Sequence, residues 1–316
     1  MDERRRVITE EAVQFGTPPS LVGIVTSASP ANRNKPGVIL LNPGIVHRVG
    51  PGRIYVKIAR ALAAQGFTVF RFDFSGIGDS SVRLDNLRFE ESSVDEACAA
   101  MSFLEATKGI NRFILLGGCS GAVVSLETAR SDCRAVGAIL INFQARADDE
   151  EQAINRKDRH YYLNFALLSL KSWSKLLTGQ SDYRKVGRAL AQGLKSKFVH
   201  RPSASGSDQR FRRILQESSD LGTQLTFICS KGDPLLQDLR EAGGGELKRL
   251  RVQGKVACDV IPGSDHTFSS LYDQERLIDV ILKRAHAAAL NPEPEAQVHA
   301  IGSNPVEGLQ QRQSIP

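Results

Sequence analysis

Short apolar runs alternate with helical stretches through most of this chain, and that alternation narrows the possible folds more than any other feature. "GVILLNPG" is a nearly all-apolar run ending in turn residues, as expected of a strand buried on both faces. "RIYVKIARALAAQG" follows, with Ile54, Ile58, Ala61 and Leu62 on one face and a glycine stop, the pattern of an amphipathic helix. The cycle continues through "FTVFRFDF", "VDEACAAMSFLEATKG", "RFILLGG", "GAVVSLETARSD" and "VGAILINF". Such alternation predicts an α/β fold, a mostly parallel sheet with helices on both faces. Ahead of it, "RVITEEAVQF" and "LVGIVTSA", separated by "GTPPS", read as an antiparallel pair of strands.

The alternation stops near Ala145 and resumes with "QLTFICS", "LLQDLREAGGGELKRLR", "VACDVIPG" and "DQERLIDVILKRAHAAA". The expected organisation is a first core segment over 1–146, a helical cap inserted over 147–221, a second core segment over 222–290 and a disordered tail over 291–316, rich in Pro, Gly, Gln and Ser. Glu151 to Asp220 carries fourteen Lys and Arg against six Asp and Glu, so the net charge of +6 is concentrated there. The ordinary reading is a solvated surface, and the sharper one a docking face for an acidic partner such as an acyl-carrier protein. Nucleic acid is not expected, since no binding motif accompanies the charge.

Hydrophobic residues make up 41% and charged residues 24%, and no run approaches the eighteen apolar residues a membrane span needs. "MDERRRVITE" has no apolar core behind it, so a secretory signal is not expected and a cytoplasmic location is. Five cysteines without a C-x-x-C pair argue for reduced thiols, with no metal site and no cofactor expected.

Chemistry is concentrated in "ILLGGCSGA", where a strand runs through glycines into a helix, the layout of a nucleophile elbow. Small residues two before and two after the reactive side chain let the backbone turn sharply. Cys119 is the preferred nucleophile, flanked by Gly117 and Gly121; Ser120, flanked by Gly118 and Ala122, is the alternative register. Phosphate binding is unsupported, because neither G-x-x-x-x-G-K-[ST] nor G-x-G-x-x-G is present. Asp233 in "KGDPLL" and His266 in "SDHTF" each follow a strand, so all three groups are expected at the carboxyl edge of one sheet as nucleophile, acid and base. Asp265 is the substitute acid. The oxyanion hole is expected from the backbone N–H of Ser120 and of the loop around Gly44, with Ile45 preferred. Tyr161, Phe165, Trp173 and Tyr183 are candidate pocket walls in the cap.

With these residues in place the chain resembles the α/β-hydrolases over roughly residues 20 to 288. "NPGIVHRVGPGRIYVKIARALAAQGFTVFRFDFSGIGDS" is similar to the subgroup of exosortase A system-associated hydrolases, which carries an R-V-G stretch, a helix and an R-F-D-x-x-G-x-G-D-S segment. That subgroup also has G-x-C-[SD]-G-A at its elbow, matched by Gly117 to Ala122, and an aspartate–histidine pair matched by Asp233 and His266. In "RFDFSGIGDS" the residues Arg71, Asp73, Gly76, Gly78, Asp79 and Ser80 are expected to form tight turns and an internal salt bridge. The oxyanion loop departs from the His-Gly pair common in the fold. The resemblance implies a hydrolase of small-molecule esters or thioesters working through an acyl-cysteine, such as a thioesterase. An acyltransferase is the first alternative and a non-catalytic binding protein the second.

Overall fold

The computed structural model describes residues 7–16, 20–29, 34–85, 87–145, 206–231 and 233–291. Residues 146–205 lie outside these, and with them Tyr161, Phe165, Trp173, Tyr183 and most of the expected cap and its basic charge. The tail past Asn291 lies outside them too.

Eight strands form one sheet: β1 (Val7–Phe15), β2 (Leu21–Ser29), β3 (Gly37–Leu41), β4 (Val69–Phe72), β5 (Phe113–Gly118), β6 (Ala135–Ile141), β7 (Gln224–Ser230) and β8 (Val256–Ile261). Their order is β1-β2-β4-β3-β5-β6-β7-β8. β1 pairs antiparallel with β2, and β2 with β4; every later pairing is parallel. The edge strand β1 is mostly exposed, whereas every residue of β3 and β6 is buried. Those runs could only sit in the middle of a covered sheet.

Helices α1 (Ile54–Ala64), α2 (Phe89–Lys108), α3 (Ser120–Ser131), α4 (Gly206–Asp220), α5 (Pro234–Val252) and α6 (Leu271–Ala289) cover it. On one face α1 and α6 press Ile58, Leu62, Leu277 and Ile281 against Val38, Leu40, Ile114 and Ile139. On the other, α2 to α5 bring Met101, Leu126, Phe211, Leu215 and Leu250 against Ile39, Phe70, Leu115 and Phe227. At roughly 1.5–3 kcal/mol for each fully buried large aliphatic or aromatic side chain, these two layers are the main source of stability.

Helix α4 falls within the span assigned above to the cap, yet Phe211, Ile214 and Leu215 are buried in the core. Its polar composition conceals an apolar stripe at helical spacing.

The chain leaves β3 toward β4 on one side and returns to β5 on the other. Loops after β3 and β5 therefore diverge around a crevice at the carboxyl edge, the place where open α/β sheets hold ligands.

Candidate active site

At the end of β5 the backbone of Cys119 adopts φ 52° and ψ −118°, and α3 begins at the next residue. A non-glycine residue held there costs about 1–3 kcal/mol, so its surroundings must enforce it. They do: the Cys119 N–H donates to the Ile141 carbonyl at 2.9 Å, and the Ala122 N–H donates to the Cys119 carbonyl at 3.1 Å. A Cβ on Gly117 would lie 2.1 Å from the Gly121 carbonyl oxygen, and one on Gly121 would lie 2.3 Å from that of Leu41. A Cβ on Gly118 would meet nothing nearer than the Tyr55 hydroxyl at 3.7 Å. The two positions without room for a side chain thus flank residue 119, not residue 120. Tyr55, which sequence reasoning missed, ties the elbow to β3: its buried hydroxyl donates to the Leu41 carbonyl at 2.9 Å and accepts the Gly118 N–H at 3.0 Å.

Asp233 and His266 meet above the same edge. The His266 Nδ1 lies 2.5 Å from Asp233 Oδ2. Asp233 Oδ1 also accepts the Leu235 N–H at 3.0 Å, so this residue caps α5 ahead of Pro234 while holding the imidazole. Asn142, buried at the end of β6 with φ 47°, donates to the His266 carbonyl at 2.7 Å and accepts the Ser230 N–H at 2.9 Å. It clamps the histidine loop to β7. Asp265 does not support the imidazole. Its carboxylate accepts N–H groups from Thr267 at 2.9 Å and Ser269 at 3.1 Å, closing the loop on itself.

These contacts set the charge states. The Asp233 bond, then that to Cys119, pushes the His266 imidazole up to about 10. Cys119 is held below the ordinary thiol value chiefly by its hydrogen bond with His266, against the opposing effect of burial and with help from the Ser120 N–H. Gln144, a second residue that sequence reasoning missed, donates from Nε2 to the Cys119 sulfur at 3.2 Å. Each of these donors favours a negatively charged sulfur.

Across the crevice, the Gly44 N–H donates to the Ser120 hydroxyl oxygen at 2.6 Å. The neighbouring Ile45, preferred from sequence, turns its side chain outward and is 91% exposed. The loop is anchored below: Asp73, fully buried, accepts the Arg48 N–H at 2.6 Å and pairs with the Arg48 guanidinium. That guanidinium also reaches Asp79 at 2.6 Å. His47, Asp73 and Asp79 are close enough together to ligate a cation, but the Arg48 side chain already bridges both carboxylates. The salt bridge expected within "RFDFSGIGDS" is instead made outward, Asp73 to Arg48 and Arg71 to Glu10.

A cleft of about 600 Å³ opens beside Ser120 and Gln144, floored by Val123, Phe143, Phe211 and Ile214. A smaller one of about 70 Å³ reaches Cys119 and His266 from the opposite face, along Tyr55 and Phe268.

The parallel sheet, the strand–turn–helix elbow and the acid–histidine pair at its carboxyl edge define an α/β protein with an active-site layout. The alpha/beta hydrolase fold family model matches residues 37–192, just under half of the chain, and the fold is that of the α/β-hydrolases. Among solved structures, the proline iminopeptidase of Mycobacterium smegmatis is similar at 19% identity and a TM-score of 0.55, over 89% of this chain and 99% of the other. An esterase from Pyrococcus furiosus is 14% identical with a TM-score of 0.56, over 89% and 93%. An alpha-beta serine hydrolase homologue from Coxiella burnetii is 15% identical with a TM-score of 0.53, over 88% and 98%. These likenesses are of fold. No curated protein matches the sequence. Among the described residues, no helix is long and apolar enough to cross a membrane.

Proposed function

We propose that the chain is a hydrolase of activated esters or thioesters that works through a covalent acyl-cysteine on Cys119, as in the cysteine-elbow subgroup it resembles. The observation that carries this reading is the backbone at residue 119, with positive φ between two glycines that have no room for a side chain.

In this reaction the Cys119 sulfur attacks the acyl carbon. A C–S bond forms while the carbonyl π pair moves to oxygen. Collapse of the tetrahedral intermediate breaks the bond to the leaving alkoxide or thiolate, which takes the proton held by His266. Asp233 keeps the imidazole oriented and supports its positive charge. Water then attacks the thioester, giving its proton to His266, and the thiolate leaves. A sulfur whose thiolate form is favoured by His266 is a ready nucleophile and a good leaving group, which favours activated esters and thioesters over amides.

Intact-mass analysis after mixing with 4-nitrophenyl acetate tests this. The wild-type chain gains one acetyl group, Cys119→Ala gains none, and Ser120→Ala still gains it on Cys119. An adduct that persists in Cys119→Ala and vanishes in Ser120→Ala would assign the nucleophile to Ser120.

A further inference from the structure

We propose that the side-chain hydroxyl of Ser120 is itself a donor of the oxyanion hole, delivering a proton where a loop N–H was expected. This inference rests on the reading of Cys119 as the nucleophile.

The argument begins with proton supply. A backbone N–H carries a single hydrogen, and that of Gly44 points at the Ser120 hydroxyl oxygen, 2.6 Å away. The contact joins the loop after β3 to the first residue of α3, across the crevice where the acyl carbonyl must enter. The Gly44 amide is therefore committed to the protein. Ser120 Oγ, having accepted that hydrogen, keeps its own. Among the described residues this hydroxyl donates to no partner. Ser120 is half-buried and borders the cleft of about 600 Å³, so the proton can turn toward a group bound there.

Position and polarisation favour the same role. Ser120 directly follows the elbow, and its backbone N–H reaches toward the Cys119 sulfur. Backbone and side chain of one residue thus present two donors beside the atom that attacks. The hydroxyl is a stronger donor for accepting the Gly44 N–H, because hydrogen bonds in a chain polarise one another. The oxygen is also held firmly, since the Gly44 loop is anchored through Arg48 to the buried Asp73. A developing oxyanion gains most from donors already in place.

The test compares acylation of Cys119 by an aryl ester and by its thionoester counterpart, in the wild-type chain, Ser120→Ala and Ser120→Thr. Losing the hydroxyl should slow oxoester acylation by about 10²–10³-fold. The thionoester, whose sulfur anion accepts hydrogen bonds poorly, should slow much less, so the oxo/thiono rate ratio should shrink about tenfold or more. Ser120→Thr keeps a hydroxyl and should recover most of the oxoester rate. A purely structural role would slow both substrates alike and leave the ratio unchanged, which overturns the proposal. An unchanged or faster Ser120→Ala also overturns it, because the hydroxyl would then be idle or would be blocking the Gly44 N–H. So would a Thr variant as slow as Ala. The site of the adduct, read by peptide mass, separates these outcomes from failure of the nucleophile reading: there the wild-type chain would carry its label on a residue other than Cys119.

Discussion

Asp233 serves two partners at once, with one carboxylate oxygen 2.5 Å from His266 Nδ1 and the other accepting the Leu235 N–H at 3.0 Å. The two roles can be separated by chemistry. Asn is as good a helix cap as Asp but carries no charge to support an imidazolium. Asp233→Asn should therefore leave the melting temperature nearly unchanged while reducing acylation by roughly 10²–10⁴-fold. A melting temperature that collapses with the rate would mean that the cap, rather than the histidine, is what the carboxylate chiefly sustains.

How much of the site is legible in the sequence varies with the range of the interaction. Strand and helix identities follow from local apolar periodicity, and the elbow follows from the spacing of Gly117 and Gly121, so both were legible. Asp233 and His266 could be placed because each follows a strand that had to be parallel to β5. Gln144 could not: it sits in "INFQARADDE", with no periodicity, and meets Cys119 only because β6 pairs beside β5. The Gly44–Ser120 bond spans 76 positions and depends on the crevice between β3 and β5. Helix α4 was assigned to the cap because its buried Phe211, Ile214 and Leu215 are outnumbered by polar neighbours.

The coupled sulfur and imidazole predict a pH profile. With Cys119 below the ordinary thiol value and His266 pushed up to about 10, the site favours a thiolate–imidazolium pair. Acylation kcat/KM should rise as the thiolate forms, on a limb lying below 9.0, and fall as the pH passes about 10 and the imidazolium loses its proton. The stability contributions are lost in opposite pH directions. That of His266, raised in the folded chain, is fully present below 6.5 and is lost as pH rises through about 10. That of Cys119, lowered in the folded chain, is present above 9.0 and is lost as pH falls through its folded value. Iodoacetamide at pH 7 in a Cys133→Ser background should label Cys119 first, since burial raises Cys98 to about 11 and Cys229 to about 12. His266→Ala should move the Cys119 alkylation limb up toward the ordinary thiol range; an unmoved limb would rule out the ion pair.

Three alanine substitutions probe the elbow register. On Gly117 or Gly121 the added methyl would have to displace backbone atoms now 2.1 Å and 2.3 Å away, which should destabilise the chain by several kcal/mol or prevent folding. On Gly118 the nearest atom is 3.7 Å away, and the change should cost less than about 1 kcal/mol. Thermal melts measure all three. Equal tolerance at 117 and 118 would contradict an apex at Cys119.

Gln144 offers the sharpest separation of charge from packing. Its Nε2 lies 3.2 Å from the Cys119 sulfur, and it lines the large cleft rather than the core. A hydrogen bond donated to a thiolate stabilises the charged form and so lowers the thiol value. Gln144→Leu keeps similar bulk and removes the donor, so the thiolate fraction should fall only at pH values where the thiol is partly protonated. Alkylation of Cys119 should slow by about threefold to tenfold on the acidic limb, for a net hydrogen-bond contribution of about 0.5–1.5 kcal/mol. Well above that limb, where the sulfur is ionised with or without the donor, the two proteins should react at matching rates. A uniform slowing at every pH would instead assign Gln144 to access or packing around the sulfur. A profile that does not change would show that the amide leaves the sulfur's charge to His266 and the Ser120 N–H.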